Sequence, residues 1–395
     1  MTYVNWALTS NAMGKKETNF KQTDIGLIPH DWEVEKLEDI TSFPTSKIRS
    51  TDINVCTYIS TENMLQNNLG VLPFNGEVLP SNVREYKRGD ILVSNIRPYL
   101  RKSYLATQSG GCSSDVIVFR PLGKIRSDYL HMCLSSSRYA TEVTANSTGT
   151  KMPRGCLSFI RQFQVPLPPI EEQKRIAEVL SHFDEHIDNL AALLEKRKQV
   201  KAATMHALLS CTTRLPGFTA PWINKYLREI TSVTRGEILV SSDFKNGPIP
   251  VIGGGTTIAG FHNKANREGK TITISASGAN AGYVSFYTMP IFASDCCTLS
   301  EGEAYDIEYL YQYLRSVQND IYRMQTGGAQ PHIYPKDIES LWISMPASVT
   351  EQSAIASVLS NMDRGIEALE EQIEKYRQMK EGAMEELLTG KVCLI

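Results

Sequence analysis

Glu172-Gln173-Lys174-Arg175-Ile176-Ala177-Glu178-Val179-Leu180-Ser181 returns, 179 residues further on, as Glu351-Gln352-Ser353-Ala354-Ile355-Ala356-Ser357-Val358-Leu359-Ser360. The match runs without a gap from 172–209 onto 351–388, and 17 of its 38 positions are identical. Ordinary residue frequencies would leave about two or three matches, so one unit is used twice. Apolar residues recur at alternating steps of four and three: Ile176, Leu180, Phe183, Ile187, Leu190 and Leu194, then Ile355, Leu359, Met362, Ile366, Leu369, Ile373 and Tyr376. That spacing, held over roughly three heptads with Glu and Lys on the flanks, predicts two long helices with a coiled-coil seam. Pro166, Pro168 and Pro169 end whatever precedes the first helix, and Glu171-Glu172 suit its positive N-terminal end. Pro346 and Thr350 do similar work for the second, and Gly390 is a natural stop. A helix of about 38 residues spans roughly 57 Å. Two amphipathic helices lying apart on separate cores would carry a wider apolar face than this seam.

Outside the helices the duplication persists as a skeleton. Trp32, Leu37 and Ile40-Thr41-Ser42 match Trp222, Leu227 and Ile230-Thr231-Ser232. Ser114-Asp115 matches Ser294-Asp295, Asp128-Tyr129-Leu130 matches Glu308-Tyr309-Leu310, and Thr148-Gly149 with Pro153 matches Thr326-Gly327 with Pro331. Between these anchors the halves differ almost everywhere. Two recognition modules on one frame would diverge in this way, whereas two copies of one active site would keep their polar residues. The expected order is an arm over 1–19, a mixed α and β domain over 20–170, a helix over 171–210, a second domain over 211–349, and a helix with its tail over 350–395. Strand-like runs at 90–94, 115–119 and 271–275 are bounded by Gly and Pro, and short helices are expected near 128–142 and 306–323.

A chain of 395 residues that is 42% apolar can bury two ordinary cores beside a helical element. No signal peptide is visible and no apolar run approaches the roughly 18 residues of a membrane span, so a cytoplasmic protein with no membrane partner is expected. The eight cysteines form no C-x-x-C pair, which predicts reduced thiols without structural zinc. Lys and Arg against Asp and Glu number 17 to 14 over residues 20–170 and 11 to 12 over 211–349. A protein gripping nucleic acid alone would be clearly basic. Any DNA contact here must use basic residues clustered on one face, with partners supplying further grip.

Such clusters exist. In the first half they are Arg84, Lys87 and Arg88; Arg97, Arg101 and Lys102; and Lys151 with Arg154 in a glycine-containing loop. The second half has Arg235, Lys245, His262, Lys264 and Arg267, and a loop carrying Gln330 and His332. Arg, Lys and Gln on loops reach base edges and phosphates. Catalytic chemistry, by contrast, is missing. There is no G-x-x-x-x-G-K-[ST] nucleotide loop, Gly253-Gly254-Gly255 fails the dinucleotide spacing, and no Asn-Pro-Pro-aromatic tetrapeptide occurs. His182 and His186 sit four apart on the first helix, but without the intervening Glu of a zinc protease they read as helix-surface residues. No catalytic residue, metal site or cofactor is expected.

Several stretches together carry a resemblance. They are residues 21–31 leading to Trp32, the run Pro166-Leu167-Pro168-Pro169-Ile170-Glu171-Glu172-Gln173, Arg214-Leu215-Pro216-Gly217-Phe218 before Trp222, and the closing Leu387-Leu388-Thr389-Gly390-Lys391. From about residue 20 onward the chain resembles the DNA specificity subunit of type I restriction-modification systems. The resemblance implies an α+β fold, with two target-recognition domains joined by two long helices that pair as an antiparallel coiled coil. It further implies a non-catalytic subunit that binds double-stranded DNA, carries two methyltransferase subunits, and works with motor-nuclease subunits. S-adenosylmethionine and ATP would belong to those partners. A coiled-coil adaptor or decoy that reads no DNA is the alternative. Small departures, Ser344-Met345-Pro346 for Pro166-Leu167-Pro168 and Ser210-Cys211 for Thr389-Gly390, bear only on the helix ends.

Overall fold

The computed structural model describes residues 19–76 and 80–394, so the expected arm, apart from Asn19, lies outside the described residues. Two helices dominate, Ile170–Leu209 and Val349–Leu387. The chain divides into two compact units, one made of residues up to 189 with those from 372 onward, the other of residues 190–371. Each unit therefore holds one mixed domain together with part of both long helices.

The sheets of the two units repeat the same plan. In the first, Thr41–Ser42, Val116–Pro121, Ile91–Ser94 and Ser103–Leu105 form an antiparallel sheet in that order; in the second, Thr234–Arg235, Cys296–Ser300, Thr271–Ser275 and Val284–Tyr287 do so. Strands Ile91–Ser94 and Thr271–Ser275 are buried along their whole length, as central strands covered on both faces must be. Beside each lies a second sheet, of four strands in the first unit and three in the second, with one parallel pair, Tyr58–Ile59 with Gly110–Cys112 and Ile249–Ile252 with Phe292–Ala293. A two-stranded ribbon closes each domain, Glu33–Lys36 with Gln164–Leu167 and Trp222–Tyr226 with Trp342–Pro346. The expected short helices are pairs, Ser127–Ser135 with Ser137–Ala145 and Ile307–Ser316 with Gln318–Arg323.

The repeated helix residues have repeated duties. Gln173 accepts from the Arg126 backbone N–H (2.9 Å) and donates to the Pro168 carbonyl (2.9 Å); Gln352 accepts from the Asp306 N–H (2.8 Å) and donates to the Pro346 carbonyl (2.8 Å). Each glutamine thus fixes the start of the short helix that follows Arg126 or Asp306. Asp184 pairs with Lys380 at 2.5 Å in the first unit, and its repeat Asp363 pairs with Lys201 in the second. His186 packs edge-on against Tyr376 (4.3 Å between rings), and Lys198 meets Glu370 at 2.7 Å. Within each unit a rising number on one helix meets a falling number on the other, so the segments run antiparallel. His182 turns its Nδ1 to the Glu178 carbonyl (2.6 Å) and so shares no site with His186.

Seam residues Ile176, Leu180, Ile187, Leu190, Ile355, Leu359 and Ile373 are buried, while Phe183, Leu194, Met362, Ile366 and Leu369 are half-buried. The first turns are wider than a seam requires. Ala177 and Ala356 are buried as well, because Ile176 and Leu180 enter the first domain's core and Ile355, Ala356 and Leu359 the second's. The helix ends do likewise. Met384, Leu387 and Leu388 complete the core around Trp32, Ile28 and Tyr129; Leu208 and Leu209 complete the one around Leu227, Tyr309 and Leu310. The repeated glutamates differ in partner. Buried Glu172 accepts the Trp32 indole N–H (2.9 Å) and the Leu394 backbone N–H (3.3 Å), whereas buried Glu351 takes a two-pronged Arg214 (2.8 and 2.7 Å).

Candidate nucleic-acid interface

In the first unit, strand Ile91–Ser94 runs into a turn that the chain stitches to the hairpin of Ser147–Thr148 and Arg154–Gly155. The Arg97 N–H donates to the Pro153 carbonyl (2.7 Å), the Gly155 N–H donates to Asn95 (3.1 Å), and Ile96 bridges Arg154. Two basic loops that are more than fifty residues apart thus become one head carrying Arg97, Lys151 and Arg154, all exposed. Tyr99 and Met152, about half exposed at 51% and 50%, flank them.

The second unit has the same head with other side chains. The Gly278 N–H donates to the Pro331 carbonyl (3.0 Å), the Ile333 N–H to Ala276 (2.9 Å), and Ser277 bridges His332. Gln330 is exposed at the tip and His332 half-buried at its base. Gly149 and Gly327, paired by the repeat, both adopt positive φ (+91° and +96°), and both heads contain two left-handed residues four apart. Those are Gly278 and Gly282 in the second unit but Arg97 and Arg101 in the first.

The shared Ser-Asp anchor explains itself here. Asp115 and Asp295 each receive a backbone N–H from the turn, Asn95 at 2.8 Å and Ala276 at 3.1 Å. Their carboxylates then hold a basic side chain, Arg154 on Asp115 (3.0 Å) and Arg235 on Asp295 (3.1 Å), with the Ser277 hydroxyl also donating to Asp295. Arg235 and Lys336 both lie 5.9 Å from the ring of exposed Tyr334, and His332 stacks on it at 6.3 Å. An exposed aromatic flanked by two cations suits a base or sugar face. Sequence reasoning missed Tyr334, Lys336, Tyr99 and Met152; the alternation His332-x-Tyr334-x-Lys336 was the available signal.

Other candidates stand elsewhere or are held internally. Arg84 donates to the Val116 carbonyl (2.6 Å), Lys102 to the Thr61 carbonyl (2.6 Å), and Arg101 to Ser135 (2.8 Å) and to Glu381 on the second long helix (2.9 Å). Burial, and then the neighbouring Arg97 charge, pull the Lys102 ammonium below its ordinary range. Arg267 braces the sheet through Thr298 (2.8 Å) and the Arg235 carbonyl (3.1 Å). Lys87 and Arg88 are exposed at the opposite end of strand Ile91–Ser94 from Arg97, in a turn whose Lys87 N–H is held by buried Asp90 (2.7 Å). Lys245 and Lys264 are exposed near His262, whose Nδ1 takes the Lys245 N–H (3.0 Å). Among the described residues no cluster of three or more His, Cys, Asp or Glu could hold a metal, and no helix is long and apolar enough to cross a membrane.

Comparison with known proteins gives a consistent picture. A family model described as the type I restriction modification DNA specificity domain matches twice, at residues 29–199 and 220–376. Similar curated proteins include the putative type I restriction enzyme MjaX specificity subunit of Methanocaldococcus jannaschii, 26% identical with 95% of this chain and 97% of that one covered. Another is the putative type I specificity subunit S.MpnORF638P of Mycoplasma pneumoniae, 23% identical over 72% of this chain and 78% of that protein. Among solved structures, the S subunit of a type I restriction-modification system from M. genitalium has the same fold, with a TM-score of 0.65, 19% identity, and 93% and 98% of the two chains covered. A doubled frame, a doubled loop head and a doubled family match converge, and the chain belongs to the type I restriction-modification DNA specificity subunits, with two target-recognition domains.

Proposed function

We propose that each domain reads one half of a bipartite, asymmetric DNA site through its loop head, while the long helices act as spacer and as docking surface for two methyltransferase subunits. The subunit contributes recognition and no chemistry; methyl transfer and ATP-driven cleavage belong to the modification and motor-nuclease partners. One observation carries this reading: the same backbone head, stitched by equivalent hydrogen bonds, presents Arg97, Lys151 and Arg154 in one unit and Gln330, His332 and Arg235 in the other. Base-edge readout needs donors and acceptors held on a rigid frame. Divergent side chains on a fixed frame give each domain its own target.

The test is an exchange of residues 46–160 for those of a relative, followed by methylome sequencing of cells that co-express the methyltransferase partner. One half of the methylated sequence should change while the other half is kept. A change in both halves would refute modular reading, and sequence-independent binding of the assembled complex would favour an adaptor that reads no DNA.

A further inference from the structure

Left-handed backbone is inexpensive for glycine and costs other residues free energy, more so for those without a short polar side chain. In the turn after strand Thr271–Ser275 the second unit places Gly278 and Gly282 in left-handed backbone, with φ of +80° and +90°. The first unit places Arg97 and Arg101 there, with φ of +50° and +49°. Arginine at such a position calls for a compensating use of its side chain. Arg101 has one inside the molecule, donating to Glu381 and Ser135. Arg97 has none: among the described residues no side-chain partner faces it, and its guanidinium is exposed. Its backbone is nonetheless fixed on both sides, with the Arg97 N–H held by Pro153 (2.7 Å) and its carbonyl by the Leu100 N–H (2.9 Å).

We propose that Arg97 is a specificity-determining residue of the first domain, its guanidinium reading the paired acceptors of a guanine edge in the major groove. The inference rests on the DNA-reading function proposed above. A phosphate offers similar acceptor chemistry, but two features favour the base edge. The Arg97 backbone is pinned by hydrogen bonds at its N–H and its carbonyl, as directional readout requires, and the flanking Tyr99 and Met152 are largely apolar surface suited to stacked bases and thymine methyl groups rather than to the phosphate backbone.

Arg97→Gly is the informative variant because the second unit already folds with glycine at this place. In complex with the methyltransferase subunit, its thermal midpoint should equal or exceed that of the unaltered protein. Affinity for the cognate site should fall about 5- to 150-fold, and methylome sequencing should show one guanine position of one half-site become degenerate. Uniformly weaker binding to every sequence, with the salt dependence reduced by about one ion and the methylated sequence unchanged, would assign Arg97 to a phosphate and overturn the proposal. Unchanged affinity and unchanged sequence would overturn it too. If the unaltered complex itself marks no bipartite site, the underlying function fails as well, so the two failures are distinguishable.

Discussion

A methyl group at Gly327 would meet the Gln330 carbonyl oxygen at 2.8 Å, on a backbone already at φ +96°. Gly327→Ala should therefore strain the second head by about 1–3 kcal/mol. Hydrogen exchange should report faster opening of residues 325–333, and modification of the half-site read by the second domain should weaken. His131 gives a pH-dependent case. It is half-buried on helix Ser127–Ser135 with Nε2 3.1 Å from the Ser103 hydroxyl, and burial, aided by Lys380, pushes its pKa from 6.5 down to about 4. A depressed histidine stays neutral in the folded protein while the unfolded chain takes up a proton. Stability is therefore lost as pH falls from about 6.5 towards 4, by up to about 3 kcal/mol across that window. His131→Gln should flatten the pH dependence of the urea midpoint between pH 7.5 and 5; identical slopes in the two proteins would show that His131 titrates normally.

At the scale of elements, the long helices were legible because a heptad is local information: each apolar residue announces its neighbour three or four positions on. Strands Ile91–Ser94 and Thr271–Ser275 were legible for the same reason. The parallel pairing of Tyr58–Ile59 with Gly110–Cys112 was not, since strands of two and three residues leave no periodicity and lie some fifty residues apart. Nor were the stitched heads, which join segments more than fifty residues apart, and the first of which depends on arginines in a conformation that propensity assigns to glycine. The basic residues were found in the sequence, but their division into exposed ones, such as Arg97 and Arg154, and internally held ones, such as Arg101 and Arg267, needed three dimensions. Leu180 and Leu359, paired by the repeat and fully buried, mark where each helix enters a domain core. Leu180→Ala and Leu359→Ala should each cost about 2–5 kcal/mol. Limited proteolysis should then cut preferentially within the unit that carries the substitution.

For the whole molecule, spacing is the testable property. Seven residues added to each long helix at facing points of the first unit, after Glu185 and after Tyr376, keep the phase of both seams and lengthen each helix by roughly 10 Å. About three more unread base pairs should appear between the methylated half-sites, with lower activity because the added turns also rotate one domain about the duplex. An unchanged spacer at full activity would reduce the helices to tethers. The composition of the first unit has a consequence in time as well as space. Its core waits for Met384, Leu387 and Leu388, which leave the ribosome after every residue of the second unit has been made. At about 5–20 residues per second, that delay amounts to roughly ten to forty seconds. The domain begun first is finished last, and a chain abandoned before residue 384 leaves the apolar surfaces of Ile176 and Leu180 uncovered for the cell's proteases to find.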